Sequence, residues 1–245
     1  MSDKDRRVVI VTGASRGLGR KIALQFGADG CRVVVNYRER EGDARTVAED
    51  IRRSGGEAIA LRADVRRPDE VDSMVAEALK RWGSIDVLVN SAGVTRDALV
   101  IKMDDDDWDS VMDTNLKGPF LCIRAVSRSM MKQRSGHIIS IASIAGVRGR
   151  EGQANYASSK AGLIGLAMTA AKELGRFNIQ VNCILPGYLP TDMGTAAPES
   201  VLARVLAENT LGRTSNAAEV AAFIQHMSRM KNVSGQVFNL DSRIV

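Results

Sequence analysis

Short apolar runs alternate along the chain with longer segments in which apolar residues recur every three or four positions. The first pattern is typical of buried strands and the second of helices packed on one face. Strands are predicted at 7–11, 32–36, 57–61, 86–90, 137–142, 179–185 and 236–240. Helices are predicted at 18–29, 43–54, 68–82, 107–133, 155–177 and 217–230.

The strand segments contain almost unbroken apolar runs, such as VVIV and RVVVN. Such runs are expected where helices cover both faces of a parallel sheet. The pattern therefore predicts a single α/β domain over 1–245, with a Rossmann-type, doubly wound parallel sheet of about seven strands. The chain of 245 residues is long enough to bury a sizeable core, and neither a linker nor a repeat interrupts the alternation.

A glycine-rich turn follows the first predicted strand directly. It reads Thr12-Gly13-Ala14-Ser15-Arg16-Gly17-Leu18-Gly19 and leads into an amphipathic helix. Glycines at these positions permit a tight turn, bring backbone amides close to a pyrophosphate and let the helix pack on the strand. Glycines also serve plain turns, but the order strand, turn, helix favours dinucleotide binding.

The end of the second predicted strand bears on which dinucleotide fits. An acid there would bind a ribose 2′-hydroxyl, but Asn36, Tyr37 and Arg38 precede the first acid, Glu39. Arg16 and Arg38 are therefore candidate ligands for the 2′-phosphate of NADP, the alternative being two solvated arginines. After the third strand, Asp64 and Val65 are expected to bracket the adenine.

Composition excludes several other classes of function. Lys and Arg number 34 against 29 Asp and Glu, so the net charge of +5 favours anionic partners without indicating nucleic acid. We expect a cytoplasmic protein, because there is neither a secretion signal nor a membrane span. Cys31, Cys122 and Cys183 are expected to be reduced core residues.

No metal site is expected. His137 and His226 have no partner at ligand spacing. The acids of 104–107 are interpreted as helix-capping residues rather than as a cation site.

Tyr156 and Lys160 are four residues apart at the start of the apolar helix that follows Asn155. That spacing places a phenol beside an ammonium on one helix face. A free tyrosine titrates near pH 10, so proton transfer near neutrality requires a pKa about 3 lower, equivalent to about 4 kcal/mol, which a nearby lysine could supply. Taken alone, the pair would more often be an ordinary helix surface.

Together these features resemble the short-chain dehydrogenase/reductase family over essentially the whole chain. The motifs, in the family's order, are TGASRGLG, Asn90-Ser91-Ala92-Gly93, Asn115, Ser143, Tyr156 with Lys160, and Pro186-Gly187. Within the family, the segments GVTRDALVIKMDDDDW, GQANYASSKAGLIG and SGQVFNLD are most similar to 3-oxoacyl-acyl-carrier-protein reductases of fatty acid synthesis.

The resemblance implies a mechanism and a set of site residues. Tyr156 would protonate the substrate carbonyl, Ser143 would orient it, Lys160 would hold the nicotinamide ribose and lower the tyrosine pKa, and Asn115 would break its helix and hold a water. A segment at about 189–209 would form a substrate lid. The implied contacts to NADP(H) are Gly13, Ser15, Arg16, Gly17, Leu18, Gly19, Arg38, Asp64, Val65, Asn90, Ala92, Gly93, Tyr156, Lys160, Pro186, Gly187 and Thr191.

Two positions depart from the family pattern. Ser91 stands where a second asparagine is common, and it retains a polar side chain. Near the carboxyl end, Ser242 and Arg243 replace the diglycine that usually follows the aspartate, here Asp241. Because that tail commonly packs beside the active site at a subunit interface, the substitution bears on the substrate mouth and on assembly. The resemblance implies a homotetramer, with a dimer as the alternative.

The resemblance also implies an acidic acyl carrier protein as the partner that delivers the substrate. Arg124, Arg128 and Lys132 recur every four residues on one helix face, with Arg134 just beyond. Arg134 and Arg176 are the candidate docking residues near the mouth of the site, supported by Arg128 and Lys132. The alternative is an ordinary solvated face.

Two other functions remain open. One is a related reductase acting on an acyl-CoA, a sugar, a quinone or a secondary alcohol, since lid residues choose the substrate without a readable code. The other is a nucleotide-binding partner subunit without catalysis, against which the intact Ser143, Tyr156 and Lys160 argue.

Overall fold

A computed structural model describes residues 6–190 and 199–243. Its strands are β1 (Val8–Val11), β2 (Arg32–Tyr37), β3 (Glu57–Arg62), β4 (Val87–Asn90), β5 (Gly136–Ile141), β6 (Ile179–Leu185) and β7 (Val237–Asn239). Its helices are α1 (Gly17–Ala28), α2 (Glu41–Arg53), α3 (Pro68–Trp82), α4 (Asp105–Met112), α5 (Gly118–Gln133), α6 (Ala145–Arg148), α7 (Ala154–Leu174), α8 (Glu199–Glu208) and α9 (Ala217–Met227). Among these, none is long and apolar enough to cross a membrane.

The seven strands form one parallel sheet in the order β3-β2-β1-β4-β5-β6-β7. The chain runs outward from β1 to β3 and then returns to β4 on the other side of β1. Such a reversal opens a crevice at the carboxyl ends of the two central strands, where ligands of doubly wound sheets bind. The predicted fold class is confirmed.

Strand β1 shows how the sequence pattern produces the core. All four of its residues are fully buried. Side chains alternate along a strand, so Val8 and Ile10 join the apolar cluster under α3, α5 and α7, whereas Val9 and Val11 join the cluster under α1, α2 and α9. An unbroken apolar run is therefore what a strand covered on both faces requires.

Periodicity alone predicts a single helix over 107–133, whereas the resemblance implies a local break at Asn115, and the structure has that break. A π-helical turn, Asp113–Lys117, separates α4 from α5. The capping interpretation of the preceding acids is confirmed at Asp104, whose carboxylate accepts a hydrogen bond of 2.7 Å from the amide of Asp107. The π turn presents Asn115 to the loop after β4, as described below.

The cysteines and histidines are structural within the described residues. Cys31, Cys122 and Cys183 are buried and unpaired, and burial raises the pKa of their thiols to between about 11 and about 12. Burial lowers the pKa of His137 to about 4. Residues 6–190 and 199–243 contain no group of three or more His, Cys, Asp and Glu residues that could hold a metal ion.

Candidate active site

A cavity of about 560 Å³ lies at the carboxyl ends of the strands. Its walls come from the loops that follow β1, β2, β3, β4, β5 and β6, together with α8 and the carboxyl-terminal tail. The residues predicted from sequence that line it are Gly13, Ser15, Arg16, Gly17, Leu18, Gly19, Arg38, Asp64, Val65, Ala92, Gly93, Ser143, Tyr156, Lys160, Pro186 and Gly187. The topology thus brings residues from both halves of the chain into one cavity.

The turn after β1 is shaped by two close backbone approaches. Gly13 has φ +63°, and a Cβ there would lie 2.8 Å from the Cα of Ala92. A Cβ on Gly19 would lie 2.4 Å from the carbonyl oxygen of Gly13. Helix α1 begins at Gly17 with no side-chain cap on its first amides. This cradle of backbone N–H groups at a helix start suits a pyrophosphate, so the residues present fit a dinucleotide.

Two polar side chains hold this turn in place. The hydroxyl of Thr12 accepts hydrogen bonds of 3.0 Å from the amides of Ser91 and Ala92, joining the turn to the loop after β4. The side-chain oxygen of Asn36 accepts from the amide of Gly13 at 3.2 Å. Asn36 also lines the cavity, and sequence analysis noted it only as a position lacking an acid.

At the adenine end, the arginines and acids form local pairs. Arg38 lies 2.6 Å from the carboxylate of Glu39, and both side chains are exposed. Arg66 donates to both carboxylate oxygens of Asp64 at 3.0 Å and holds its pKa below the usual range. The carboxylate of Asp64, which was expected to bracket the adenine, is therefore already paired with Arg66. The sequence pattern did not reveal this ion pair.

Tyr156, Ser143 and Lys160 line the cavity together. Tyr156 stands in the first turn of α7, and its phenol lies close enough to the hydroxyl of Ser143, which follows β5, for that hydroxyl to lower the pKa of the phenol. The Lys160 ammonium lies 5.5 Å from the centroid of the Tyr156 ring and donates to the carbonyl of Ile141 at 2.7 Å. Tyr156 and Lys160, which the i,i+4 spacing placed on one helix face, therefore form one cluster with Ser143.

The ionisation of this cluster differs from the expectation that Lys160 lowers the tyrosine pKa. Burial raises the pKa of the Tyr156 phenol, and the hydrogen bond from Ser143 offsets part of that rise. Burial also lowers the pKa of the Lys160 ammonium to about 8. Lys160 does not lower the pKa of the phenol because its ammonium donates its hydrogen bond to the backbone carbonyl of Ile141.

Asn115 is fully buried behind the cavity wall rather than in its lining. Its amide group donates to the carbonyl of Val94 and accepts from the amide of Val94, both at 2.9 Å, and it also donates to the hydroxyl of Ser159 at 3.3 Å. The π turn at Asp113–Lys117 presents it there, so the predicted break in the helix is present. Asn115 thereby joins the loop after β4 to helix α7.

Asn90 lies behind the cavity lining, and its contact with the cofactor stays a prediction. It is buried within the sheet, outside the cavity lining, and donates to the hydroxyl of Ser140 on β5 at 3.3 Å. The carboxyl end of β4 therefore contacts the cavity through Ser91, Ala92 and Gly93 instead.

The loop after β6 needs glycine for two reasons. Gly187 has φ +78°, and a Cβ there would lie 1.9 Å from the hydroxyl oxygen of Ser215. Thr191 lies outside the described residues, as does the part of the predicted lid at 191–198. Within the described part of the lid, α8 contributes Arg204, Val205 and Glu208 to the cavity wall.

Sequence reasoning missed several wall residues that come from six separate segments of the chain. Gln153 is buried and donates to the carboxylate of Asp97 at 2.9 Å. No local pattern signalled these positions except the departure at Ser242 and Arg243. The missed residues with side chains in the wall are Tyr37, Thr95, Arg148, Arg150, Glu151, Gln153, Tyr188, Arg204, Glu208 and Arg243.

The residues considered for carrier docking are exposed, but they do not border this cavity. Arg134 precedes β5 and Arg176 precedes β6, so both lie at the amino edge of the sheet, whereas the cavity lies at the carboxyl edge. A seven-residue strand separates the two edges by about 20 Å. Arg134 donates to the carbonyl of Arg176 at 3.1 Å, so these two are adjacent. Arg128 and Lys132 lie toward the same end of α5.

A doubly wound parallel sheet that carries a glycine turn and a Ser-Tyr-Lys cluster at one edge defines a class of nucleotide-dependent oxidoreductase. The chain belongs to the short chain dehydrogenase family, whose sequence profile matches residues 7–201. Members of this family are oxidoreductases acting on a CH–OH or C=O group, and so is this protein.

The more specific similarities agree with one another. The chain is 43% identical over 98% of its length to a 3-oxoacyl-[acyl-carrier-protein] reductase of Synechocystis sp., covering 97% of that protein. Its identity to the reductase of that name from Staphylococcus aureus Mu50 is 41%, covering 97% of this chain and 98% of the other. A crystal structure of a dehydrogenase/reductase from Sinorhizobium meliloti 1021 superposes with a TM-score of 0.90 at 31% identity, covering 97% and 94% of the two chains.

Proposed function

We propose that this protein uses NADPH to reduce 3-oxoacyl thioesters, delivered on an acyl carrier protein, to 3-hydroxyacyl thioesters. The observation that carries the proposal is the cluster of Ser143, Tyr156 and Lys160, which lies in the same cavity as the glycine turn. Relatives named for this reaction match the chain over almost its whole length. Fatty acid synthesis is the pathway that such a reaction serves.

Each residue of the cluster has a distinct task in this reaction. The Ser143 hydroxyl orients the substrate carbonyl oxygen, and the Tyr156 phenol donates its proton to that oxygen. The raised pKa keeps the phenol protonated at neutral pH, although it also makes the phenol a weaker acid than the lowered pKa expected from the sequence would. Lys160 would hold the ribose of the nicotinamide nucleotide, which supplies the hydride when bound. Asn115 holds the loop after β4 against α7 and so positions the cluster.

The preference for NADPH rests on charge at the adenine end. Arg16 and Arg38 line the cavity there, and β2 is followed by Arg38 rather than by an acid. The Arg38–Glu39 pair is exposed and contributes little stability, so Arg38 can turn to a 2′-phosphate at small cost. Backbone amides of the glycine turn would hold the pyrophosphate.

The same proposal covers partners and assembly. The carrier protein would dock on four basic residues, Arg128, Lys132, Arg134 and Arg176.

A homotetramer would pair α5 and α7 across one two-fold axis, and it would pair β7 and α9 across another. Phe120 and Met168 are exposed on α5 and α7, which is consistent with the first of these pairings. A tetramer mass by light scattering at micromolar concentration is expected, and a monomer mass would contradict this part. We place the protein in the cytoplasm, where its buried cysteines stay reduced.

The decisive experiment measures NADPH oxidation against a panel of substrates. The panel contains 3-oxoacyl thioesters on acyl carrier protein and on CoA, ketosugars, quinones and simple ketones. We expect the highest kcat/KM for a 3-oxoacyl group on the carrier protein. A higher value for a ketosugar or a quinone would refute the proposed substrate while leaving the oxidoreductase assignment intact.

A further inference from the structure

The tail residues Asp241, Ser242 and Arg243 form a largely buried polar cluster beside the part of the cavity that is walled by Arg204, Val205 and Glu208 of α8, which we call the substrate end. The side chain of Asp241 is completely buried and that of Arg243 is 9% exposed. The Arg243 guanidinium donates through both Nε and Nη2 to one carboxylate oxygen of Asp241, the first at 2.7 Å. The other carboxylate oxygen accepts from the backbone amide of Arg243 at 3.1 Å. A buried ion pair persists when its geometry satisfies the groups it removes from water, as this one does.

This cluster is joined to the chain that leaves helix α8. Asn209, the residue directly after α8, donates to Asp241 at 3.2 Å and accepts from the hydroxyl of Ser242. Thr210 donates to the carbonyl of Ser242 at 2.7 Å, and the amide of Leu211 donates to its hydroxyl at 3.3 Å. Three consecutive residues after α8 are thus bonded to two consecutive residues of the tail, Asp241 and Ser242, and Arg243 is joined to them through Asp241.

Helix α8 and the tail form adjoining parts of one cavity wall. Val205 is buried, and Arg204 and Glu208 line the cavity with it, while Arg243 lines it from the tail. Asn209 lies outside the lining, so it can influence a substrate only through the elements it connects. The wall that meets the substrate therefore depends on contacts made by side chains that do not touch it.

We propose that Asp241, Ser242 and Arg243 are positioning residues for substrate binding. They hold α8 in place over the substrate end of the cavity, and Arg243 limits the depth of the cavity that is available to the acyl chain. The inference rests on the proposed function for its substrate. Two glycines at 242 and 243, as in the reductases that this chain resembles, could make neither the ion pair nor the hydroxyl contacts. Selection of acyl chain length is therefore expected to differ between this protein and those reductases.

The test compares Ser242→Gly/Arg243→Gly with wild type and with Arg213→Gly, which removes an exposed arginine from the α8–α9 connection. KM for a short 3-oxoacyl thioester is expected to rise about 5- to 20-fold with a smaller change in kcat. The ratio of kcat/KM for a long acyl chain to that for a short one is expected to rise at least 5-fold. NADPH affinity should stay within 2-fold. An unchanged chain-length ratio would overturn the proposal, even if the variant melts at a lower temperature.

Two milder variants keep the proposal testable should the double variant fail to fold. Ser242→Ala removes only the hydroxyl that bridges Asn209 and Leu211, and Asn209→Ala removes the other side of the same contact. Both should shift the chain-length ratio in the same direction as the double variant. A shift on changing Arg243 with none on changing Asn209 or Ser242 would mean that α8 is not positioned by the tail, and would overturn the proposal.

A substrate-free measurement separates this inference from the proposed function. Amide hydrogen exchange in α8 reports local opening. Exchange over Glu199–Glu208 is expected to accelerate at least 10-fold in the Ser242 and Asn209 variants and to stay at the wild-type rate with Arg213→Gly. Unchanged exchange would refute the role of the tail whatever the substrate. Accelerated exchange in a protein that reduces no 3-oxoacyl thioester would refute the proposed function alone.

Discussion

The two ends of the cavity are built in different ways. At the dinucleotide end, backbone groups form the surface, and residue identity follows from what the backbone requires, as at Gly13 and Gly19, where any side chain would collide with a neighbouring main chain. At the substrate end, side chains from several separate segments form the wall, among them Arg150, Arg204 and Arg243. Local rules therefore determine the first end, whereas long-range packing determines the second.

The difference teaches where substitutions should act. A change at the dinucleotide end should alter binding of the nucleotide and stability together, because turn and fold share the same backbone contacts. A change at the substrate end should alter turnover or selectivity and leave the nucleotide alone. The following experiments test that separation.

The largest effect is expected at the boundary between the two ends. Tyr156→Phe removes the proton donor and should lower kcat about 10²- to 10⁴-fold while NADPH affinity stays near wild type. Tyr37→Phe is the matched control, because Tyr37 lines the dinucleotide end of the same cavity. Steady-state kinetics and a fluorescence titration of NADPH decide the matter, and wild-type turnover in Tyr156→Phe would remove Tyr156 from the mechanism.

Gly13→Ala should weaken the dinucleotide end directly. The added methyl would lie 2.8 Å from the Cα of Ala92, at a backbone φ of +63°. We expect NADPH affinity to fall about 10- to 100-fold, with a loss of about 2–4 kcal/mol in the free energy of unfolding. Gly30→Ala carries a similar φ of +77° with no atom within 4 Å, so it isolates the backbone strain. Equal losses in both variants would show that the close approach is unimportant.

Cofactor choice tests the charges at the adenine end. Replacing Arg16 and Arg38 together with alanine removes the candidate partners of a 2′-phosphate. Hydrogen bonds to charged groups contribute about 1.5–3 kcal/mol each, so losing both arginines should lower the preference for NADPH over NADH by about 100-fold or more. Turnover at saturating nucleotide should change little. Equal use of both nucleotides by the wild type would contradict the assignment.

The pH profile reports the ionisation of the cluster. Reduction needs the protonated phenol, which a raised pKa preserves, and it needs the Lys160 ammonium, which loses its proton as pH rises through about 8. The rate of reduction should therefore be level near neutrality and fall by up to about tenfold per pH unit above 8, whereas oxidation of the 3-hydroxy product should favour alkaline pH because it uses the phenolate. A level reduction profile up to pH 10 would be inconsistent with this arrangement.

The smallest effect is expected at the amino edge of the sheet. Reversing Arg134 and Arg176 to glutamate should raise KM for carrier-bound substrate a few-fold, most strongly at low salt, and leave a short carrier-free thioester unaffected. These arginines lie about 20 Å of strand away from the cavity of their own chain. A selective rise in KM for the carrier-bound substrate would therefore mean that the carrier contacts a surface outside the mouth of its own chain's cavity. Equal effects on both substrates, or none, would exclude docking there.

Much of the molecule followed from local sequence patterns. Strand β6 and helix α3 begin and end at the predicted residues, because apolar runs and capping signals act over a few positions. The glycine turn could also be predicted from the sequence, since only glycine satisfies its backbone conformation. The cluster of Ser143, Tyr156 and Lys160 was identified by resemblance and by helical spacing, and topology then joined it to the turn.

Other features were decided only by tertiary structure. The hydrogen bond between Lys160 and the carbonyl of Ile141 joins residues on different elements, so spacing along α7 could not reveal that the ammonium donates to β5. Asp64 is engaged by Arg66, and Arg134 lies at the far edge of the sheet, for reasons of local conformation and strand direction. The attachment of Asp241 and Ser242 to Asn209, directly after α8, spans more than thirty residues of sequence. Periodicity describes which face of an element is buried, but it does not specify which distant side chain completes a buried hydrogen bond, and at this site that choice shapes the wall that meets the substrate.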